Sequence, residues 1–499
     1  VAATIPVLTR MRSGFVLALV AQLTACSLPV VKTGAGIALP ARWQSASSVD
    51  AAGVNAQWWQ SFGSAELTAL VEAAQQDSFD VAAAVARVRQ ADALVRVSGA
   101  SLLPQIDAGV SVERTREVGY PMYNDYSGYF TASYELDLWG ANRATRQAAI
   151  DTLGARRAER DAVALTLTAD FANTWLQVLA LRERAAIARQ DLAAGERLLG
   201  FVESQYRAGA ATVSNVAQQK TLVAQLTQSV AQYGQQAQYS RIALATLAGK
   251  PPQGFQVAGD SLDGLTIPVI GAGVPADLLT RRPDIAEAER KLAAADADVT
   301  VARAAMLPAV TLTADAGAGN TRLANLLEHP IYDLVAGLSA PIFHGGALAA
   351  SRDLALAQRE ELLADYRASI VSALGDVESA LNAIDGIMTR QRAQADVLDQ
   401  AQIALQQVES RYRAGAQTLQ TLLDAQRTLY AAKDEALQLK LARLQAAVAL
   451  YKALGGGWDV KQENGVTSVA PATRAAAQAQ FERGQPGWAI SSTTIDGNS

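Results

Sequence analysis

The chain has 499 residues, half of them hydrophobic but only 6% aromatic, and a formal net charge of −5. Alanine and other aliphatic side chains must therefore carry the apolar packing, and the basic footprint that nucleic acid requires is missing. Two histidines, His329 and His344, and one cysteine, Cys26, exclude an intrachain disulfide and leave too few ligands for a metal cluster or a Cys/His catalytic pair, so no metal or cofactor is expected.

Arg10 and Arg12 precede a short apolar run, Gly14 to Leu23. It is too short to span a bilayer and fits the core of a signal peptide. It ends in Leu23-Thr24-Ala25-Cys26, which resembles a lipobox, the site where bacteria cleave before a cysteine and acylate it. Residues 1–25 are thus expected to be a lipoprotein signal peptide and Cys26 the lipidated residue; a buried thiol behind a fortuitous apolar run is the other reading. Ser27 follows, where an Asp would signal inner-membrane retention. The sequence opens with Val1, and Met11 is an alternative start. Residues 26–57 read as a linker with little periodicity.

Residues 58–250 form a first unit. After Trp58-Trp59-Gln60-Ser61-Phe62-Gly63, a helix is expected from about Ser64 to Ser98, with Leu67, Leu70, Val71, Ala74, Val81, Val85 and Val88 on one stripe. Pro104 ends it and the period changes to two. Ile106, Ala108, Val110 and Val112 alternate with Gln105, Asp107, Gly109, Ser111 and Glu113; then, from about Tyr129 to Leu138, Phe130, Ala132, Tyr134, Leu136 and Leu138 alternate with Thr131, Ser133, Glu135 and Asp137. A loop, Thr115–Ser127, carries Tyr120, Tyr123 and Tyr126. From Ala141 to Ala208 no proline interrupts a helix that would be about 100 Å long. Its partner returns from Thr212 to Ala248, with Arg157 and Asp161 spaced to pair across one turn of the first helix.

The turn between these helices, Tyr206-Arg207-Ala208-Gly209-Ala210, recurs as Tyr412-Arg413-Ala414-Gly415-Ala416, an offset of 412 − 206 = 206 that also relates Thr212 to Thr418, Leu244 to Leu450 and Gly249 to Gly455. A shared register of this length indicates internal duplication. Gly209 and Gly415 suit left-handed helix ends, and Thr212 and Thr418 suit caps. After a Pro/Gly-rich connector, 251–275, the second unit, 276–458, repeats the plan: a helix opening at Pro283 and ending near Ala305, strands at Val310–Ala318 and Tyr332–Ile342, then long helices at Ala347–Ala414 and Thr418–Leu454. Residues 459–499 are polar and expected to be disordered.

Strands of about ten residues with one apolar and one carboxylate-bearing face have the length and pattern of tilted membrane strands. A half-buried soluble sheet looks similar, and the loop tyrosines favour the membrane. Four strands cannot close a barrel, and an open edge in lipid costs several kcal/mol per unpaired backbone group. The barrel must be shared among chains: two give about eight strands and a filled interior, three give about twelve and a pore.

With these features the chain resembles the TolC-like outer-membrane factors of Gram-negative efflux pumps, in their lipoprotein branch, over about Cys26 to Trp458. The motif carrying most of the resemblance is Leu278-Leu279-Thr280-Arg281-Arg282-Pro283-Asp284-Ile285 with Ala288-Glu289-Arg290 and Leu307-Pro308; Trp58-Trp59, Trp139-Gly140 and the two turns add to it. The resemblance implies a mainly α fold with membrane β: a homotrimer with a twelve-stranded outer-membrane β-barrel and long antiparallel helical hairpins forming an α-barrel through the periplasm. It implies passive export of drugs or other toxic small molecules, with a periplasmic adaptor (membrane fusion protein) and an inner-membrane transporter of the resistance-nodulation-division class as partners. Tyr206, Arg207, Gly209, Tyr412, Arg413 and Gly415 would be adaptor-docking tips. The family's aperture carboxylates map to Thr421 and Asp424, of which one is acidic here; Tyr412 would help hold the aperture shut, and Gln417 stands where the family has an arginine. No phosphate-binding loop, nucleophile elbow or triad suggests an enzyme. The rival readings are an exit duct for type I protein secretion and a periplasmic coiled-coil scaffold with no channel.

Overall fold

The computed structural model describes residues 34–45, 54–116, 118–119 and 121–458. The expected signal peptide, Cys26, Tyr120 and the tail from 459 lie outside the described residues. The first unit runs through α1 (Ala65–Asp77), α2 (Phe79–Ala100), β1 (Gln105–Thr115), β2 (Tyr123–Leu136), α3 (Ala141–Arg207) and α4 (Val213–Leu247). The second runs through a short turn of helix at Leu278–Arg281, α5 (Pro283–Ala304), β3 (Ala309–Asn320), β4 (Pro330–Ser339), α6 (Ala347–Arg413) and α7 (Leu419–Ala453). The duplication is visible in the lengths: α2 and α5 have 22 residues each, α3 and α6 have 67, and α4 and α7 have 35. No described helix is long and apolar enough to cross a membrane.

Four expectations need correction. The single helix from Ser64 to Ser98 is two helices, broken where Ser78 adopts extended backbone and is buried. Its stripe is carried beyond the break by Ala84 and Ala91, while Val81, Val85 and Val88 are only half-buried. The second unit has the same break at Arg282, also extended, before Pro283; the offset 282 − 78 = 204 matches that of the two prolines closing α2 and α5. Secondly, β2 begins at Tyr123, so Tyr123 and Tyr126 are strand residues, paired with Thr115 and Val112. It ends at Leu136 because Asp137 turns back and its carboxylate accepts from the backbone N–H groups of Asn142 and Arg143, capping α3. Thirdly, β4 stops at Ser339, two residues before Pro341, which has no N–H to give a ladder. Fourthly, the Asp161 carboxylate pairs with Arg160 and accepts from the Trp458 indole; it does not pair with Arg157.

The four strands form one antiparallel sheet in the order β1-β2-β3-β4, with β2 and β3 joining the two units and β1 and β4 left as free edges. The helices pack by the same scheme: α3 lies against α4, α2 and α5, and α6 lies against α7 and α5. At the Trp58 end of the first unit, Trp58 stacks on Tyr451 of α7 at 5.0 Å, and Trp59, Phe62, Phe171, Trp175 and Val448 complete a core that ties the start of the chain to its last helix. Part of the supposed linker also packs. Trp43 is buried beside Tyr366, Ile370 and Val377, its indole donates to the Gly273 carbonyl, and Glu378 accepts from the Gln44 N–H.

Each unit closes on a glycine. Gly249 and Gly455 have positive φ, and a Cβ would overlap the Asp77 carbonyl oxygen in the first case and the Arg281 carbonyl oxygen in the second. These two positions abut the extended residues Ser78 and Arg282, so one close backbone contact explains both the glycine and the helix break.

Candidate functional site

The two turns at the far ends of the hairpins have the same backbone. In the first, the Ala210 N–H donates to the Gln205 carbonyl at 2.8 Å and the Gly209 N–H to the Tyr206 carbonyl at 3.0 Å; in the second, Ala416 donates to Arg411 and Gly415 to Tyr412 at the same distances. This crossed pair of bonds satisfies the last carbonyls of a helix and requires left-handed backbone at the glycine, here φ +73° at Gly209 and +75° at Gly415. Thr212 and Thr418 then cap α4 and α7 by accepting from the N–H groups of Asn215 and Thr421.

Their surroundings differ. Tyr206 is 46% exposed, whereas Tyr412 is 7% exposed and packs among Leu198, Val202, Leu222, Leu419, Leu422 and Leu423. Its ring meets Phe201 edge to face at 6.1 Å, and its hydroxyl donates to the Gln205 side-chain oxygen at 3.0 Å. Burial pushes the Tyr412 phenol above its ordinary pKa. Tyr412 thus ties the second hairpin to the first through a neutral hydrogen bond. Gln205 is a partner that sequence reasoning missed; it immediately precedes the repeated phrase, where the second unit has Arg411.

Arg207 bonds to Ser204 at 3.2 Å, Arg413 pairs with Glu409, and a Cβ on either turn glycine would meet nothing within 4 Å. The tips are accordingly free surfaces of polar and small residues. Just beyond the second tip, Thr421 and Asp424 are exposed and Gln417 is half-buried. Both Asp424 oxygens accept from Gln420, at 3.0 and 3.2 Å, and Arg427 stands 3.7 Å away.

The Arg281-Arg282-Pro283-Asp284 motif lies elsewhere, at the α7 end of the second unit. Arg282 is gripped by Asp284 at 2.6 Å, Asp376 at 2.9 Å and the Ala453 carbonyl at 3.1 Å. Burial opposes its charge, but hydrogen bonds to the two carboxylates outweigh this and hold the guanidinium above its usual pKa. Arg281 pairs with Asp277 at 3.2 Å, and Pro283 opens α5 with Asp284 in its first turn. The motif is therefore a joint between α5, α6 and α7, well separated in sequence from the turns.

The sheet has two unlike faces. The register aligns Ala108, Phe130, Ala316 and Tyr332 across all four strands on one face, and Asp107, Thr131, Asp315 and Asp333 on the other. Thr131 donates to Asp315 at 2.5 Å. Glu113, Asp125 and Glu135 share the acidic face, and Arg114, the one basic residue in the four strands, is on the apolar one. Phe130, Tyr332, Leu334 and Leu338 are all more than 60% exposed in the single chain. An exposed apolar face backed by an acidic one fits a wall between lipid and water.

The chain matches the family model described as outer membrane efflux protein over residues 70–250 and 274–456. It is 46% identical over 451 residues to the pyoverdine export outer membrane protein OpmQ of Pseudomonas aeruginosa, covering 88% of this chain and 95% of that protein. It is 32% identical over 414 residues to the toluene efflux pump outer membrane protein TtgF of Pseudomonas putida, covering 81% and 85%. The solved structure of the outer-membrane channel OprN superposes with a TM-score of 0.80 at 26% identity, over 86% of this chain and all of that one.

Proposed function

The chain belongs to the outer membrane efflux protein family and is an outer-membrane efflux channel, not an enzyme; from that premise we propose that it is the lipid-anchored exit duct of a tripartite pump. Three copies join β4 of one chain to β1 of the next, closing twelve strands around the acidic faces, and six hairpins form the tube below. The observation that carries this reading is the single sheet with two free edges, β1 and β4, whose pairing between copies would repeat the β2–β3 junction already made inside the chain. A free edge in lipid is too costly to leave unpaired, so the edges seek one another. The duct is passive; a transporter of the resistance-nodulation-division class and a periplasmic adaptor supply energy and engage the tips around Gly209 and Gly415. Tyr412 and Gln205 hold the closed aperture, and Asp424 lines it. Cys26 anchors the chain.

The greater identity to OpmQ than to TtgF makes pyoverdine-like cargo the first to assay, ahead of drugs or solvents. Deleting the gene and measuring both secreted pyoverdine-type metabolite and susceptibility to drugs and solvents tests this. Lost secretion with unchanged susceptibility supports the metabolite; the reverse supports toxic small molecules; secretion of a protein lost instead identifies the type I duct.

A further inference from the structure

Three ion pairs cross from the first hairpin to the second: Lys452 of α7 to Asp170 of α3 at 3.9 Å, and two closer to the tips. Arg184 on α3 grips Asp434 on α7 with two hydrogen bonds, at 2.6 and 2.9 Å, and its guanidinium lies over the Tyr233 ring of α4 at 4.4 Å. Asp191 on α3, 5% exposed, accepts from Lys433 on α7 at 2.8 Å. Counting along α3 at 1.5 Å per residue, these pairs stand about 35 and 24 Å from the turn.

The duplication shows what occupies the matching seam, between α6 of one chain and α4 of the next. Arg184 corresponds to Arg390 and Asp191 to Val397, since 390 − 184 and 397 − 191 are both 206; on the other side Asp434 corresponds to Gln228 and Lys433 to Thr227. Arg390 is engaged within its own hairpin by Glu435 at 2.8 Å, and Val397 is 48% exposed. Neither opposing position on α4 offers a carboxylate. The seam inside each chain is ionic, and the matching positions at the seam between chains cannot form the same two pairs.

We propose that Arg184–Asp434 and Asp191–Lys433 form a pivot that clamps the two hairpins of each chain, so that opening bends the tips below it and parts neighbouring chains, while the hairpins above it stay together. This rests on the reading that the tips form a closable aperture. Below the clamp, one neutral hydrogen bond, Tyr412 to Gln205, and an apolar cluster join the two tips. The lever is therefore stiff at its base and soft at its end.

The test is planar-bilayer recording of the purified full chain, with oligomer formation checked on gels. Arg184→Gln with Asp191→Asn is expected to raise spontaneous open probability by roughly tenfold, the scale of coupling in a partly buried ion-pair network. The charge exchange Arg184→Asp with Asp434→Arg is expected to restore the closed state relative to Arg184→Asp alone. A disulfide joining Cys residues introduced at positions 184 and 434 is expected to leave export intact, because a pivot need not separate. Unchanged open probability in the double variant, or export abolished by the disulfide, overturns the pivot. Tyr412→Phe is the control: a rise there with no rise in the clamp variants rejects the pivot and keeps the aperture, and no conductance in any form rejects the aperture itself.

Discussion

The two turns share five residues and one hydrogen-bond scheme, yet within one chain one tyrosine is exposed and the other is buried. Local sequence determines the turn; the neighbouring hairpin determines what the turn is for. Tyr412 has Phe201 and Gln205 to pack against, and the position related to Gln205 by the repeat is Arg411. A duplicated chain can in this way keep one backbone design twice and build a link within the chain on only one copy of it.

The largest effect is expected where both units do the same thing. Gly249→Ala and Gly455→Ala each drive a Cβ into a backbone carbonyl at a positive-φ residue, which should cost about 3 kcal/mol or more. Thermal denaturation followed by circular dichroism should show both variants strongly destabilised; a normal midpoint in either would mean the closing contacts are loose.

Bulky substitutions at the turn glycines come next. Gly209→Trp and Gly415→Trp meet open space, so only the left-handed backbone is penalised, by about 1–2 kcal/mol. Oligomers should still reach the outer membrane while export is lost. Normal export in both variants would remove the tips from adaptor docking.

Tyr412→Phe and Tyr206→Phe sharpen the comparison most. The first removes a partly buried hydrogen bond, with a net value of about 1 kcal/mol, and should increase spontaneous opening; the second should change nothing measurable. Equal effects would erase the asymmetry. Asp424→Asn should reduce cation preference in single-channel recording only modestly, because Gln420 and Arg427 already engage the carboxylate. A large loss would place more field at that ring than its neighbours suggest.

The smallest effect is proton-linked. Burial raises the Asp191 carboxyl above the usual range despite Lys433, with Tyr430 as the other titratable neighbour, itself pushed up to about 12 chiefly by burial. A raised carboxyl binds its proton more tightly in the folded chain. It therefore adds stability as pH falls through the folded pKa, and the gain is absent above it. Asp263 beside Lys440 is lowered and has the opposite slope, lost as pH falls through its folded pKa. Asp191→Asn should flatten the rise in thermal midpoint on mild acidification; an unaltered slope would assign it to other groups.

Much of the fold was legible because its signals are periodic. Proline-free runs marked α3 and α6, alternation marked all four strands, and the repeated phrase located both turns. The breaks at Ser78 and Arg282 were less visible: Pro283 announces one, while the other has Phe79 at the matching place and no local signal. The register of Pro104 on Pro308 would have revealed it. Asp137 looked like one more alternating residue because capping a following helix leaves no mark in a period of two. At the candidate site, Tyr412 was readable from the repeat, but its partner Gln205 and the cross-hairpin pairs were not. Those contacts join residues 207 to 250 positions apart, and periodicity along one helix carries no information about which face of a distant helix it will meet.

The channel depends on several copies completing a wall that one copy begins. The most direct test is the native mass of the detergent-solubilised full chain. Three copies per particle is the predicted result, and a stable single copy would contradict it.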